Sequence, residues 1–193
     1  MLPKPWEIIS SAIHQDFRIF NLRIDRAVSP RTGMAHDFYI LESLDWVNVI
    51  PLTREKEVVL IRQYRHGTRE VTLEIPGGIV EEGDSPEEAA RRELMEETGY
   101  RDTGMVSLGF VYPNPAFLNN RCHTFLAQGV RLAGGQDQDE KEDIEVILRP
   151  LDEIPRLIRE AAITHSLVVA AFYRLFVEQW SGQGPWRRAA TTR

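Results

Sequence analysis

The chain has 193 residues, of which 42 % are hydrophobic and 27 % charged, and its formal net charge is −6. That length supports one substantial domain, or one domain with a small appendage, and the composition is ordinary for a globular protein in water. The acidic balance excludes broad non-specific binding to nucleic acid, the single cysteine, Cys122, excludes an internal disulfide, and no run approaches the ~18 apolar residues of a membrane span.

The first residues, MLPKPWEIISSAIHQDF, lack the apolar stretch of a signal peptide, so a cytoplasmic location is expected. Residues 16–28 and 36–44 read as two strands around Ser29-Pro30-Arg31-Thr32-Gly33, a strong turn signal. An isolated hairpin is marginal in water, so this one has to pack on the rest of the chain or on a second subunit. From Trp46 the pattern becomes that of buried strands. WVNVIPL is followed by the polar turn TREKE, by VVLIRQYR, and by the short strand VTLEI that leads into Pro76-Gly77-Gly78. Beyond residue 100 come strands at MVSLGFVY and RCHTFLAQGV, an acidic loop GGQDQDEKED, and a strand IEVILRP. Residues 152–160 read as a short helix. A last helix, capped by Thr164 or Ser166, runs to about Trp180 with Leu167, Ala171 and Leu175 on its core face. The expected division is an N-terminal hairpin segment (1–45), a main domain (46–182) and a mobile tail (183–193). The five histidines lack ligand spacing, and each reads as structural or surface.

Between the strands VTLEI and MVSLGFVY lies the most informative window, GIVEEGDSPEEAARRELMEETG at 78–99. Ser85 suits an N-cap, Pro86 the first helical position, Glu88 the reciprocal partner of a capping box, and Gly99 the left-handed residue that ends the helix. Glu93, Glu96 and Glu97 stand at i, i+3 and i+4, so all three project from one face. Such a cluster repels itself, and a divalent cation would remove the cost. An all-oxygen donor set favours Mg²⁺, or Mn²⁺, over zinc. Gly77 and Gly78 permit close backbone approach, and the Gly77 carbonyl is a candidate metal ligand. A metal-bearing helix behind a glycine loop suits the polarisation of phosphoryl oxygens and hydrolysis by direct attack of water at phosphorus.

The window resembles the Nudix box, G-x5-E-x7-R-E-U-x-E-E-x-G-U, with U a bulky aliphatic residue. It departs at Asp84, where the pattern has Glu, and at Tyr100, where it has an aliphatic side chain. The resemblance implies an α/β (α+β) fold, an α/β/α sandwich around a mixed sheet. It also implies metal ligands at Glu93 and Glu97 with Glu96 close behind. Arg92 would be the box arginine that residue 84 supports, and the shorter acid there is expected to weaken that contact.

Features outside the box resemble the ADP-ribose and nucleoside-diphosphate-sugar pyrophosphatase branch. Glu74-Ile75-Pro76-Gly77-Gly78 precedes the box as it does there, which places Glu74 with the substrate. Pro115 lies 16 residues after Gly99, near where a proline marks ADP-ribose pyrophosphatases. In Arg62-Gln63-Tyr64-Arg65, Arg65 is the better candidate for reaching the phosphates. The acidic run 139–143 resembles the loop that supplies a catalytic glutamate in that branch. This assigns Glu140 as general base and Glu142 as supporting metal ligand, or the two exchanged, on a mobile lid. That branch also forms swapped homodimers whose N-terminal residues stack the base, a role open to Trp46. The expected activity is Mg²⁺- or Mn²⁺-dependent cleavage of ADP-ribose or a related sugar nucleotide. A GDP-mannose hydrolase or a non-catalytic ADP-ribose sensor are the alternatives, and the expected partners are a small sugar nucleotide and a second copy of the chain.

Overall fold

The turn at residues 29–33 closes as its composition requires. Gly33 takes φ +71°, its N–H donates to Ser29 O over 2.8 Å, and the Ser29 hydroxyl accepts from the N–H groups of Arg31 and Thr32. The turn joins β2 (Asn21–Val28) to β3 (Ala35–Glu42), antiparallel throughout. A strand absent from the sequence reading, β1 (Glu7–Asp16), pairs with the other edge of β2, so the expected hairpin is a three-stranded sheet. The omission has a physical cause: every residue of β1 is exposed and its pairing is interrupted by two register shifts, so its side chains carry no period-2 burial signal. The Asp25 carboxylate ties the sheet across, accepting from the Ser11 hydroxyl (2.5 Å) and from Arg23 Nε (3.0 Å). Residues 112–121, which the sequence division placed in the main domain, group instead with residues 1–45 as one compact unit. Within it Leu41 N–H donates to Phe117 O and Arg121 N–H donates to Asp45 Oδ1, each over 2.8 Å.

The computed structural model describes residues 2–138 and 140–180, so the tail expected at 183–193 lies outside the described residues. The second unit comprises residues 46–111 and those from 122 onward. Its strands are β4 (Trp46–Leu52), β5 (Glu57–Arg65), β6 (Glu70–Glu74), β7 (Tyr100–Arg101), β8 (Gly104–Val111), β9 (Cys122–Gln128), β10 (Arg131–Leu132) and β11 (Glu145–Pro150). Six of them form one sheet in the order β11-β5-β4-β9-β8, with β6 also on β5. The β4–β9 pair is parallel and the other pairs antiparallel, which makes the sheet mixed. The two-residue strands β7 and β10 form a separate pair, too short to leave a pattern in sequence.

Alternation along the central strands sends side chains to two cores. Val47, Val49, Val59, Phe125 and Ala127 pack against Ala89, Ala90 and Leu94 of α1 (Pro86–Thr98). Ile50, Leu52, Val58, Leu60 and Leu126 pack on the opposite face against α2 (Ile154–Arg159) and α3 (Ser166–Trp180). The result is the α/β/α sandwich. Tyr100, at the box's usual aliphatic position, still packs against the α1 core. Among the described residues, no helix is long and apolar enough to cross a membrane.

Both termini of α1 form as the local chemistry dictates. Ser85 Oγ accepts from Glu88 N–H (3.3 Å), the Glu88 carboxylate accepts from Ser85 N–H (2.9 Å), and Gly99 at φ +73° donates to Met95 O. The start of α3 differs from expectation. Neither Thr164 nor Ser166 caps it; His165 does, because its carbonyl accepts the first helical bond from Val169 N–H and its Nδ1 accepts from Leu167 N–H at 3.3 Å. Leu167, expected on the core face, is half-buried, and Val168 takes the core position beside Ala171, Phe172 and Leu175.

Candidate active site

The glycine loop runs beside β4 at close range. Val47 N–H donates to Gly78 O (2.9 Å), Gly78 N–H donates to Val47 O (3.1 Å), and Val49 N–H donates to Pro76 O (2.9 Å). A Cβ on Gly77 would meet the Val47 carbonyl and the Asn48 backbone, and one on Gly78 would meet the Glu93 carboxylate. Glycine at 77 lets the loop lie against the strand backbone, and glycine at 78 leaves space for the Glu93 carboxylate.

The three helix carboxylates are held differently. Glu97 is 3 % exposed, and its Oε2 accepts from Gly77 N–H at 2.9 Å. Burial pushes its carboxyl up to about 8; the Gly77 bond opposes this, and the charges of Glu93 and Glu142 reinforce it. Glu93 is also raised, by burial first, against the pull of Arg92. Arg92 gathers the group: its Nη1 donates to Glu93 Oε1 (2.9 Å) and Glu96 Oε2 (3.0 Å), and its Nη2 to Ile79 O (3.0 Å).

Among the described residues, no three carboxylate, imidazole or thiol groups converge as a ready-made metal cage. The donor set nevertheless fits a hard divalent cation. Two carboxylates whose burial disfavours their charged forms lie against a glycine loop that leaves room for nothing but Glu93, and nearby positive charge is the condition that would ionise both.

A cleft of about 630 Å³ opens beside this loop, and Trp46, Arg65, Glu74, Gly77 and Gly78 all line it. Arg65 and Glu74 form a two-pronged ion pair, Nε to Oε1 at 2.8 Å and Nη2 to Oε2 at 2.7 Å. The Thr72 hydroxyl donates to the same Oε1 at 2.6 Å. Burial alone would raise the Glu74 carboxyl, but the Arg65 and Thr72 bonds outweigh it and hold it below its ordinary value.

The acidic loop is tied down at its base. Gln136 Nε2 donates to Glu97 O (2.7 Å) and Ile144 O (3.0 Å), Gln138 Nε2 donates to Ile144 O (3.0 Å), and Asp137 N–H donates to Glu96 O (2.9 Å). Glu140 and Glu142 are both exposed on it, and the charge of Glu142 is felt by Glu93, Glu97 and Arg65. Pro115 falls in the other unit, in a turn closed by Phe117 N–H and Leu118 N–H on Asn114 O.

The sequence reading missed Asn48, Gln136, Gln138 and His165. Asn48 is buried and its Nδ2 donates to Leu167 O, linking β4 to the first turn of α3. His165 lines the cleft. The glutamines sit in a run whose charges draw the eye, and His165 sits between two better-known cap formers.

The NUDIX domain model matches residues 45–172 of the chain. A methanol dehydrogenase activator from Bacillus methanolicus is 32 % identical over 163 residues, which cover 84 % of this chain and 88 % of that protein. An ADP-ribose pyrophosphatase from Bacillus subtilis (strain 168) is 29 % identical over 147 residues, 76 % of this chain and 79 % of that one. The crystal structure of an ADP compounds hydrolase superposes with a TM-score of 0.81, covering 95 % of this chain and 98 % of that one at 23 % identity, a likeness of fold.

Proposed function

This chain belongs to the NUDIX family and is a Nudix hydrolase, and on that premise we propose that it cleaves the pyrophosphate bond of ADP-ribose or a related nucleoside diphosphate sugar. Water attacks one phosphorus, the bond to the bridging oxygen breaks, and a nucleoside monophosphate and a sugar phosphate leave. The observation that carries the reading is one cleft that joins the carboxylate helix, through the Gly77–Glu97 bond, to the Arg65–Glu74 pair.

Glu93 and Glu97, with the Gly77 carbonyl and Glu142, would hold Mg²⁺ or Mn²⁺, which when bound neutralises diphosphate charge and lowers the pKa of a water. Arg92 orients Glu93 and Glu96 by direct hydrogen bonds. Arg65 supplies a guanidinium for a phosphate oxygen, and Glu74 fixes its plane. Trp46 offers an indole face at the cleft wall. Glu140 takes the proton of the attacking water, with Glu142 in reserve because its charge already reaches the helix carboxylates.

A homodimer through the N-terminal sheet accompanies this reading. β1 is an edge strand exposed along its whole length, with Ile8, Ile9 and Ile13 each more than half exposed. The mass in solution by light scattering checks it, and a monomer would remove it.

The activity is tested by incubating the protein with Mg²⁺ and ADP-ribose, GDP-mannose or a nucleoside triphosphate in separate reactions and resolving the products by chromatography. AMP and ribose 5-phosphate are expected from ADP-ribose. Cleavage of no sugar nucleotide would overturn the reading, and tight ADP-ribose binding without turnover would establish a sensor instead.

A further inference from the structure

His165 uses one ring nitrogen for the fold and keeps the other. Its Nδ1 accepts the N–H of Leu167, which satisfies one of the orphan donors at the start of α3 and fixes the ring. A nitrogen that accepts carries no proton. Burial also holds the imidazole below its ordinary pKa, so the neutral ring bears its hydrogen on Nε2. Among the described residues Nε2 makes no hydrogen bond, and the half-buried ring lines the cleft.

The ring shares the cleft with the Arg65–Glu74 pair, whose charges it feels. The same lining carries four hydroxyl residues: Thr68, Thr72, Thr164 and Ser166. The Thr72 hydroxyl spends its hydrogen on Glu74 and the Thr68 hydroxyl donates to Arg65 O, so both oxygens remain as acceptors. A cleft that offers an N–H donor together with acceptor oxygens suits a diol, whose hydroxyls accept and donate in turn.

We propose that His165 Nε2–H donates a hydrogen bond to a pentose hydroxyl of the bound sugar nucleotide, which makes His165 a specificity-determining residue. The inference deepens the proposed reaction and rests on it. The pentose belongs either to the nucleoside or to the terminal sugar.

His165→Asn separates the two jobs of the ring, because asparagine is a good N-cap and supplies the acceptor that Nδ1 provides but has no atom at Nε2. His165→Gln restores a donor at that reach. Binding of AMP and of ribose 5-phosphate is measured by calorimetry on the metal-free protein, beside KM and kcat for ADP-ribose with Mg²⁺. His165→Asn is expected to keep the wild-type melting temperature and to weaken one of the two ligands by about tenfold, the worth of one hydrogen bond. KM should rise by a similar factor with kcat little changed, and His165→Gln should recover part of the loss. Weaker ribose 5-phosphate binding places the terminal sugar at His165, and weaker AMP binding places the nucleoside there. Equal binding of both ligands by wild type and His165→Asn overturns the assignment while leaving the reaction intact. A wild-type protein that binds neither ligand and cleaves no sugar nucleotide removes the reaction and the assignment together.

Discussion

Arg92 Nε lies 3.6 Å from Asp84 Oδ2, beyond hydrogen-bond reach, and it is buried with no partner. The other nitrogens of this guanidinium are engaged by Glu93, Glu96 and Ile79, so the shortfall is confined to the side where the box pattern carries the longer acid. One missing methylene, roughly 1.5 Å of reach, accounts for it.

Asp84→Glu should therefore close the gap to the ~2.8 Å of a charge-assisted bond. Satisfying a buried donor contributes about 1 kcal/mol, which for a chain of this size raises the melting temperature by about 2–4 °C. Thermal unfolding of the two proteins side by side checks this. An unchanged or lowered midpoint would mean that Arg92 Nε is satisfied in another way.

The raised carboxyl of Glu97 links stability to pH. Its folded value of about 8 stands above the ordinary 4.5, so between those values the folded state keeps a proton that the unfolded chain has released. Its contribution therefore falls as pH rises through that window. In EDTA, wild type should lose more stability between pH 6 and pH 8.5 than Glu97→Gln, which stays neutral. The same variant should lose most Mg²⁺-dependent hydrolysis while remaining folded. Parallel pH profiles for the two proteins would show that Glu97 does not titrate as assigned.

Arg65 and Glu74 should respond unequally to removal of the partner. The Glu74 carboxylate is 2 % exposed and the Arg65 side chain 41 %. Arg65→Met leaves a buried charge with only the Thr72 hydroxyl and should cost about 3 kcal/mol. Glu74→Gln leaves a guanidinium that can turn to water and should cost about 1 kcal/mol. Chemical denaturation of both variants measures the difference, and the reverse order would refute the asymmetry.

Gly78→Ala directs its methyl at the Glu93 carboxylate, and Gly77→Ala directs its own at the Val47 carbonyl and the Asn48 backbone. A side chain can swing aside, whereas a strand backbone cannot. The first variant should keep its melting temperature within about 2 °C and lose Mg²⁺ affinity, and the second should lose about 1–3 kcal/mol of stability. Melting curves and Mg²⁺ titrations of both distinguish the cases.

The ends of α1 were legible because they are local. The capping bonds of Ser85, Glu88 and Gly99 all run to partners within about four residues, so their types alone specify the caps. The central strands were legible from apolar runs, and Asp84 from its departure from a pattern. β1 was not, since an exposed strand has no burial period to read. The same local rules misjudged α3, because three consecutive residues, Thr164, His165 and Ser166, can each cap a helix and only the packed chain chooses His165.

By itself, then, the sequence determined the two ends of the carboxylate helix, the presence of three glutamates on it, and the run of strands around it. The tertiary structure alone decided what those glutamates face. The Gly77–Glu97 bond spans 20 residues, the Gln136–Glu97 bond 39, and the Asn48–Leu167 bond 119. Contacts at such separations depend on how the sheet is ordered and which face each strand turns to a helix, and that is a property of the packed chain as a whole.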